Sequence, residues 1–109
     1  NITGVVGYDQ GTQEYTIKVT ADTVAQFTIG DIVTLQEHNP ASGYSLPSDL
    51  EVRDITFINQ AWNIKLFKSN FNTFNSNNNG GSITIDPNAT GYIKKKRTYT
   101  IAKGIIGVE

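Results

Sequence analysis

The chain of 109 residues has no cysteine, no methionine and one histidine. Without cysteine, neither a disulfide framework nor a thiolate metal site is available. Any catalytic triad would rest on His38 alone, and no nucleophile motif or orienting partner accompanies it. His38 lies in a Glu-His-Asn-Pro turn and reads as an exposed loop residue. The ten acidic residues are scattered singly, so no carboxylate pair suited to acid–base work stands out. An enzyme is therefore not expected, and neither is a cofactor. No apolar run approaches the roughly 18 residues of a helical membrane span, and no signal-peptide pattern opens the chain. A membrane is thus not an expected partner. A net charge of −1 is a weak basis for a dedicated polyanion binder, so nucleic acid is not expected either. The lack of methionine, at position 1 as elsewhere, points to a processed product, an excised domain or the ordered part of a longer chain.

Charged residues are also scarce, at 17%, so the surface must be built largely from uncharged polar groups. Threonine, a strand former, and asparagine, a turn former, supply them. The clearest pattern is Glu51–Lys68, which folds as a hairpin with Asn59-Gln60 at its tip. That register sets Phe57 against Trp62, Ile55 against Ile64 and Arg53 against Leu66 on one side. On the other side it sets Thr56 against Asn63, Asp54 against Lys65 and Val52 against Phe67. Aromatic, β-branched and opposite-charge cross-strand pairs are what stabilise such a ribbon. Asparagine suits the left-handed turn, whereas glutamine is a poor replacement for glycine there, and a four-residue loop is the alternative. Trp62 then reads as core rather than as a stacking platform.

A second hairpin opens the chain. Ile2, Val6 and Tyr8 form one face opposite Tyr15, Ile17 and Val19, while Thr16, Lys18 and Thr20 point outward. Gly11 supplies the turn between Asp9 and Glu14. Gly4 and Gly7 mark a bend or the close approach of a neighbouring strand. At most one helical turn fits near Asp22–Gln26. Gly30-Asp31 leads into a third strand, Ile32–Leu35. Further strands are expected at Ser82–Asp86, Tyr92–Ile101 and Ile105–Val108. Two polar loops, His38–Leu50 and Ser69–Gly81, are candidate contact loops, with Tyr44, Phe71 and Phe74 as their aromatic anchors. Nowhere do apolar residues recur with helical spacing over three turns. The expected fold is one all-β domain over residues 1–109, a small antiparallel β-barrel or β-sandwich of six to eight short strands without substantial helix.

Two motifs invite a chemical reading. Asp86-Pro-Asn-Ala-Thr-Gly91 matches the first half of a calcium loop, but Lys94, Lys95, Lys96 and Arg97 stand where a late carboxylate belongs. An Asp-Pro-Asn turn is the preferred reading, and no metal is expected. The run Lys94–Arg97 is the only charge cluster. Alternate residues of a strand point to opposite faces, so four consecutive cations fit an edge strand guarded by lysine. A phosphate-contacting strip beside Tyr92 and Tyr99 is the second reading, and a salt-bridged contact with an acidic protein the third.

The opening residues Ile2-Thr3-Gly4-Val5-Val6-x-Tyr8-Asp9, followed by Gly11-Thr12-x-x-Tyr15-Thr16-Ile17-Lys18-Val19-Thr20, resemble a hairpin that recurs in virion proteins of tailed bacteriophages. Those modules occur in tail, fibre, baseplate and head-decoration proteins. The likeness covers about the first twenty residues and transfers no functional residue. The final Gly107-Val108-Glu109 is similar to the small-x-Glu sites cut by head-maturation proteases of some giant phages. The resemblance implies a non-enzymatic structural protein of the virion, a capsid-decoration or tail component in contact with other subunits or copies of itself. Two alternatives stand beside it. One is a small barrel binding single-stranded nucleic acid or glycan through Lys94–Arg97 and the loops. The other is a secreted, adhesin-like extracellular domain.

Overall fold

A computed structural model describes residues 1–41, 46–69 and 85–97. Six strands, β1 (Ile2–Asp9), β2 (Glu14–Val19), β3 (Ile32–Gln36), β4 (Leu50–Ile58), β5 (Ala61–Phe67) and β6 (Tyr92–Arg97), form one antiparallel sheet. The order across it is β1-β2-β5-β4-β3-β6. The sheet curls into a half-barrel, and the two outer strands meet at one point. There Gly91 bridges Ile2, and the Val5 N–H donates to the Pro87 carbonyl at 2.9 Å. This seam needs two residues without side chains. A Cβ on Gly4 would lie 2.7 Å from the Pro87 carbonyl oxygen. One on Gly91, whose φ is +143°, would lie 2.8 Å from the carbonyl oxygens of both Gln36 and Glu37.

The single helical turn, α1 (Ala21–Val24), is capped by the Thr20 side chain, which accepts from the Thr23 N–H. Gly30-Asp31 is architecture, as the sequence implies. The Gly30 N–H donates to the Val52 carbonyl at 2.8 Å, and the Val52 N–H returns to the Asp31 carbonyl at 2.9 Å.

The central hairpin forms with the expected two-residue turn. Asn59 and Gln60 have φ of 54° and 62°, both left-handed, the conformation that matches the twist of the flanking strands. Four of the expected pairs are present: Phe57 with Trp62, Thr56 with Asn63, Ile55 with Ile64 and Asp54 with Lys65. Beyond Asp54 the register shifts, so Val52 pairs Leu66 and Glu51 pairs Phe67. The expected pairs Arg53–Leu66 and Val52–Phe67 do not form. A bulge leaves Arg53 unpaired and turns the buried Val52 inward. Arg53 instead stacks over the Phe67 ring, 3.7 Å from its centroid, and pairs with Glu51 at 3.3 Å.

The first hairpin shows the same device twice. Register shifts between Ile2 and Gly4 and between Val5 and Gly7 place Val5 inside and Val6 outside. Val6, expected in the core, is 60% exposed. Gly11 lies in the turn, where its N–H donates to Asp9 Oδ1 at 2.8 Å, and Gln13 carries the left-handed φ of 59°.

The core gathers Tyr15, Ile17, Leu50, Val52, Ile64 and Leu66 on the inward face. Trp62 is half-buried against it, as expected. Of the remaining expected strands, Ile85 and Asp86 are not in one, and Ser82–Thr84, Thr98–Ile101 and Ile105–Val108 lie outside the described residues. Tyr44, Phe71 and Phe74 lie outside them as well.

Candidate functional site

His38 is buried rather than exposed in a loop, because the chain after β3 folds back over the barrel's seam. Its Nδ1 lies 2.8 Å from the Thr90 carbonyl oxygen and its Nε2 2.7 Å from the Tyr15 hydroxyl. A carbonyl only accepts, so Nδ1 carries the proton and the Tyr15 hydroxyl donates to Nε2 of the neutral ring. Burial lowers the His38 pKa, partly opposed by the Thr90 hydrogen bond, and raises that of Tyr15. A fully buried phenol held in its neutral form is not an available nucleophile. The pair fastens the β2 end of the sheet to the seam.

The Asp86 motif folds as an Asx turn, with Oδ1 accepting from the Asn88 N–H at 2.9 Å. Thr90 and Gly91 are committed to His38 and Ile2. Among the described residues no group of three or more acidic or histidine side chains converges on a metal position.

The four cations of β6 separate. β6 is the last strand of the sheet, as an edge reading requires. Lys95 reaches the buried Asp31 at 3.5 Å and lies 5.8 Å from the centre of the Phe27 ring. Asp31 Oδ2 also accepts from the Thr28 N–H at 2.9 Å. Lys96 pairs with Asp49 at 2.7 Å on the surface. Lys95 and Lys96 are therefore each paired with a carboxylate of the domain.

Two further features involve the β4–β5 hairpin. The first is the tip of the β4–β5 hairpin, where Phe57 is 58% and Ile58 52% exposed. Phe57 leans on Trp62, ring centroids 5.0 Å apart, which holds one face of the ring while the other meets solvent. The second is a trough of about 420 Å³ on the outward face, walled by Val6 and Ile58. Its floor is Thr16 and Lys18 from β2, Asn63 and Lys65 from β5, and Thr56 from β4. It continues into a hollow of about 240 Å³ bounded by Tyr8, Asp9 and Glu14. The register builds this floor: Lys18, Asn63 and Thr56 form one cross-strand row, and Thr16, Lys65 and Asp54 the next. Asp54 stands opposite Lys65, yet its Oδ1 accepts from the Ile55 N–H at 3.0 Å, and no ion pair forms between them. Among the described residues, Lys18 and Lys65 have no carboxylate partner. Alternation alone predicted Thr16 and Lys18 outward, but the trough also needs Val6 turned out by a bulge. No family model, curated protein or solved structure matches the chain.

Proposed function

We propose that this chain is a non-enzymatic contact domain of a larger protein assembly, with the β4–β5 hairpin tip as its contact surface. The exposed Phe57–Ile58 pair carries this reading. Apolar side chains are presented to solvent at the end of a rigid ribbon, with Phe57 braced by Trp62. Aromatic anchors of this kind dominate the energetics of protein interfaces. The one imidazole in the chain is occupied in fastening the seam, which supports a structural rather than a catalytic role. The bacteriophage virion is the assembly we assign, on the likeness of the Ile2–Thr20 hairpin, and its subunits or further copies of this chain are the partners.

Rebinding provides the test. The chain is stripped from the particle that contains it and added back as wild type or as Phe57→Ser. Wild type should restore the particle's composition and Phe57→Ser should not, while both unfold at similar urea concentrations. Equal rebinding would show that the tip is not the contact. Salt-sensitive retention of the chain on single-stranded DNA, absent after Lys94→Glu, would instead favour a nucleic-acid module.

A further inference from the structure

The trough beside the tip lies on the outward face of the sheet, and three of its features define an occupant. It is elongated: the two hollows share Val6, Thr16 and Lys65 and run from Asp9 and Glu14 to Ile58 and Asn59. That outline suits a linear chain better than a compact molecule. Its middle is cationic. Lys18 and Lys65 are diagonal neighbours across β2 and β5, a relation that sets Cα atoms roughly 7–8 Å apart. On an extended chain, side chains two residues apart share a face and stand about 6.6–6.8 Å apart. Two carboxylates at alternate positions therefore match the spacing of the two lysines along the strands, with the Lys18 side chain reaching over Gly4 on β1. One end is acidic, where Asp9 and Glu14 line the second hollow. A nucleic-acid strand or a uniformly anionic glycan would bring a negative charge to that end too.

We infer that the trough docks an extended peptide segment of a partner protein, with two acidic side chains over Lys18 and Lys65 and a basic one directed at Asp9 and Glu14. Val6 and Ile58 flank it with aliphatic surface, and Thr16 and Thr56 offer hydroxyl groups to the peptide backbone. The contrast with Lys95 and Lys96 supports the charge argument: those two have carboxylate partners within the domain, whereas among the described residues Lys18 and Lys65 have none. The inference rests on the contact-domain reading in that the occupant belongs to another protein.

The test follows amide resonances of the isotope-labelled chain during three titrations. The probes are the acetylated peptide amide Lys-Thr-Glu-Val-Glu-Val, its charge-inverted counterpart and a single-stranded oligothymidylate. The first peptide should produce saturable shifts at Thr16, Lys18, Asn63 and Lys65, and the other two should not. The double variant Lys18→Glu/Lys65→Glu should bind it at least about tenfold more weakly. Lys18→Gln/Lys65→Gln serves the same purpose if the reversed protein does not fold. Absent shifts at those residues, an equal or stronger response to the oligonucleotide, or an unchanged affinity in the variants would overturn the inference. Should the trough fail while particle rebinding still depends on Phe57, the contact-domain reading survives without it.

Discussion

The seam between the outer strands and the tip of the β4–β5 hairpin use polar and apolar groups in opposite ways. At the seam both nitrogens of the buried His38 are engaged, and at the start of β3 the buried Asp31 likewise has a backbone donor and Lys95. Buried polar groups are tolerated when fully bonded, and such bonding defines one arrangement of the chain. At the tip, apolar groups are exposed: Phe57 and Ile58 face solvent, and Val6 stands across the trough. Exposed apolar clusters add little to a domain's own stability and mark places where something else docks. The seam therefore closes the fold, and the tip and trough are left for a partner. Substitutions in the two regions should therefore separate stability from association.

The largest effect is expected at the seam's tightest point. Gly91→Ala combines a disfavoured φ with clashes against two backbone carbonyls that cannot swing aside. It should cost about 4 kcal/mol in urea unfolding, the sum of a strain and an overpacking term. Next comes Ile64→Ala, in the fully buried middle of β5, at about 3 kcal/mol. A loss below ~0.5 kcal/mol there would show that the inward face of the hairpin is misassigned.

The His38–Tyr15 pair sharpens the contrast through pH. The pKa of His38 is lowered in the folded chain, so the unfolded chain binds the proton more readily. The stability gained from keeping the ring neutral is complete above about pH 6.5 and is lost as pH falls through the lower folded value. His38→Gln should remove that acid-side component from the unfolding midpoints. Tyr15 behaves oppositely: its raised pKa gives a contribution complete below pH 10 and lost as pH rises through the folded value. Tyr15→Phe, which removes the donor to His38 Nε2, should cost about 1–2 kcal/mol.

The four consecutive cations divide by the same measure. Lys95→Glu places a negative charge beside the buried Asp31 and should cost about 2 kcal/mol, discounted because Lys95 is itself partly exposed. Lys96→Glu, on an exposed pair, should change stability by less than about 1 kcal/mol. The smallest effect is expected at the tip, where Ile58→Thr should stay within about 0.5 kcal/mol of wild type in thermal or urea melts.

Local pattern made much of the β4–β5 hairpin legible. Aromatic and β-branched residues at alternate positions gave the pairs Phe57–Trp62 and Ile55–Ile64, and Asn59 marked the turn. Alternation cannot reveal an inserted residue, so the bulge at Arg53 and the two shifts in β1 escaped it, and with them the outward turn of Val6. His38 was misread for a different reason. Its partners are 23 and 52 positions away, and nothing in Glu-His-Asn-Pro signals that Tyr15 and Thr90 will meet it. The pairing of β3 with β6 is likewise non-local, so the lysine run identified an edge strand without showing that Asp31 lies beneath it. The trough was hidden twice over, since it depends on a bulge and on adjacency of β2 and β5 that no short window contains.

Hydrogen exchange, compared between the free chain and the chain within its assembly, tests the division between seam and tip most directly. Amides of Ile58, Asn59 and Ala61 at the tip, and of Val6 and Tyr8 beside the trough, should gain protection on assembly. Those of Ile2 and Val5 at the seam should already be protected in the free chain and remain unchanged. New protection confined to the seam or to β6, with the tip and trough amides equal in both states, would contradict the account.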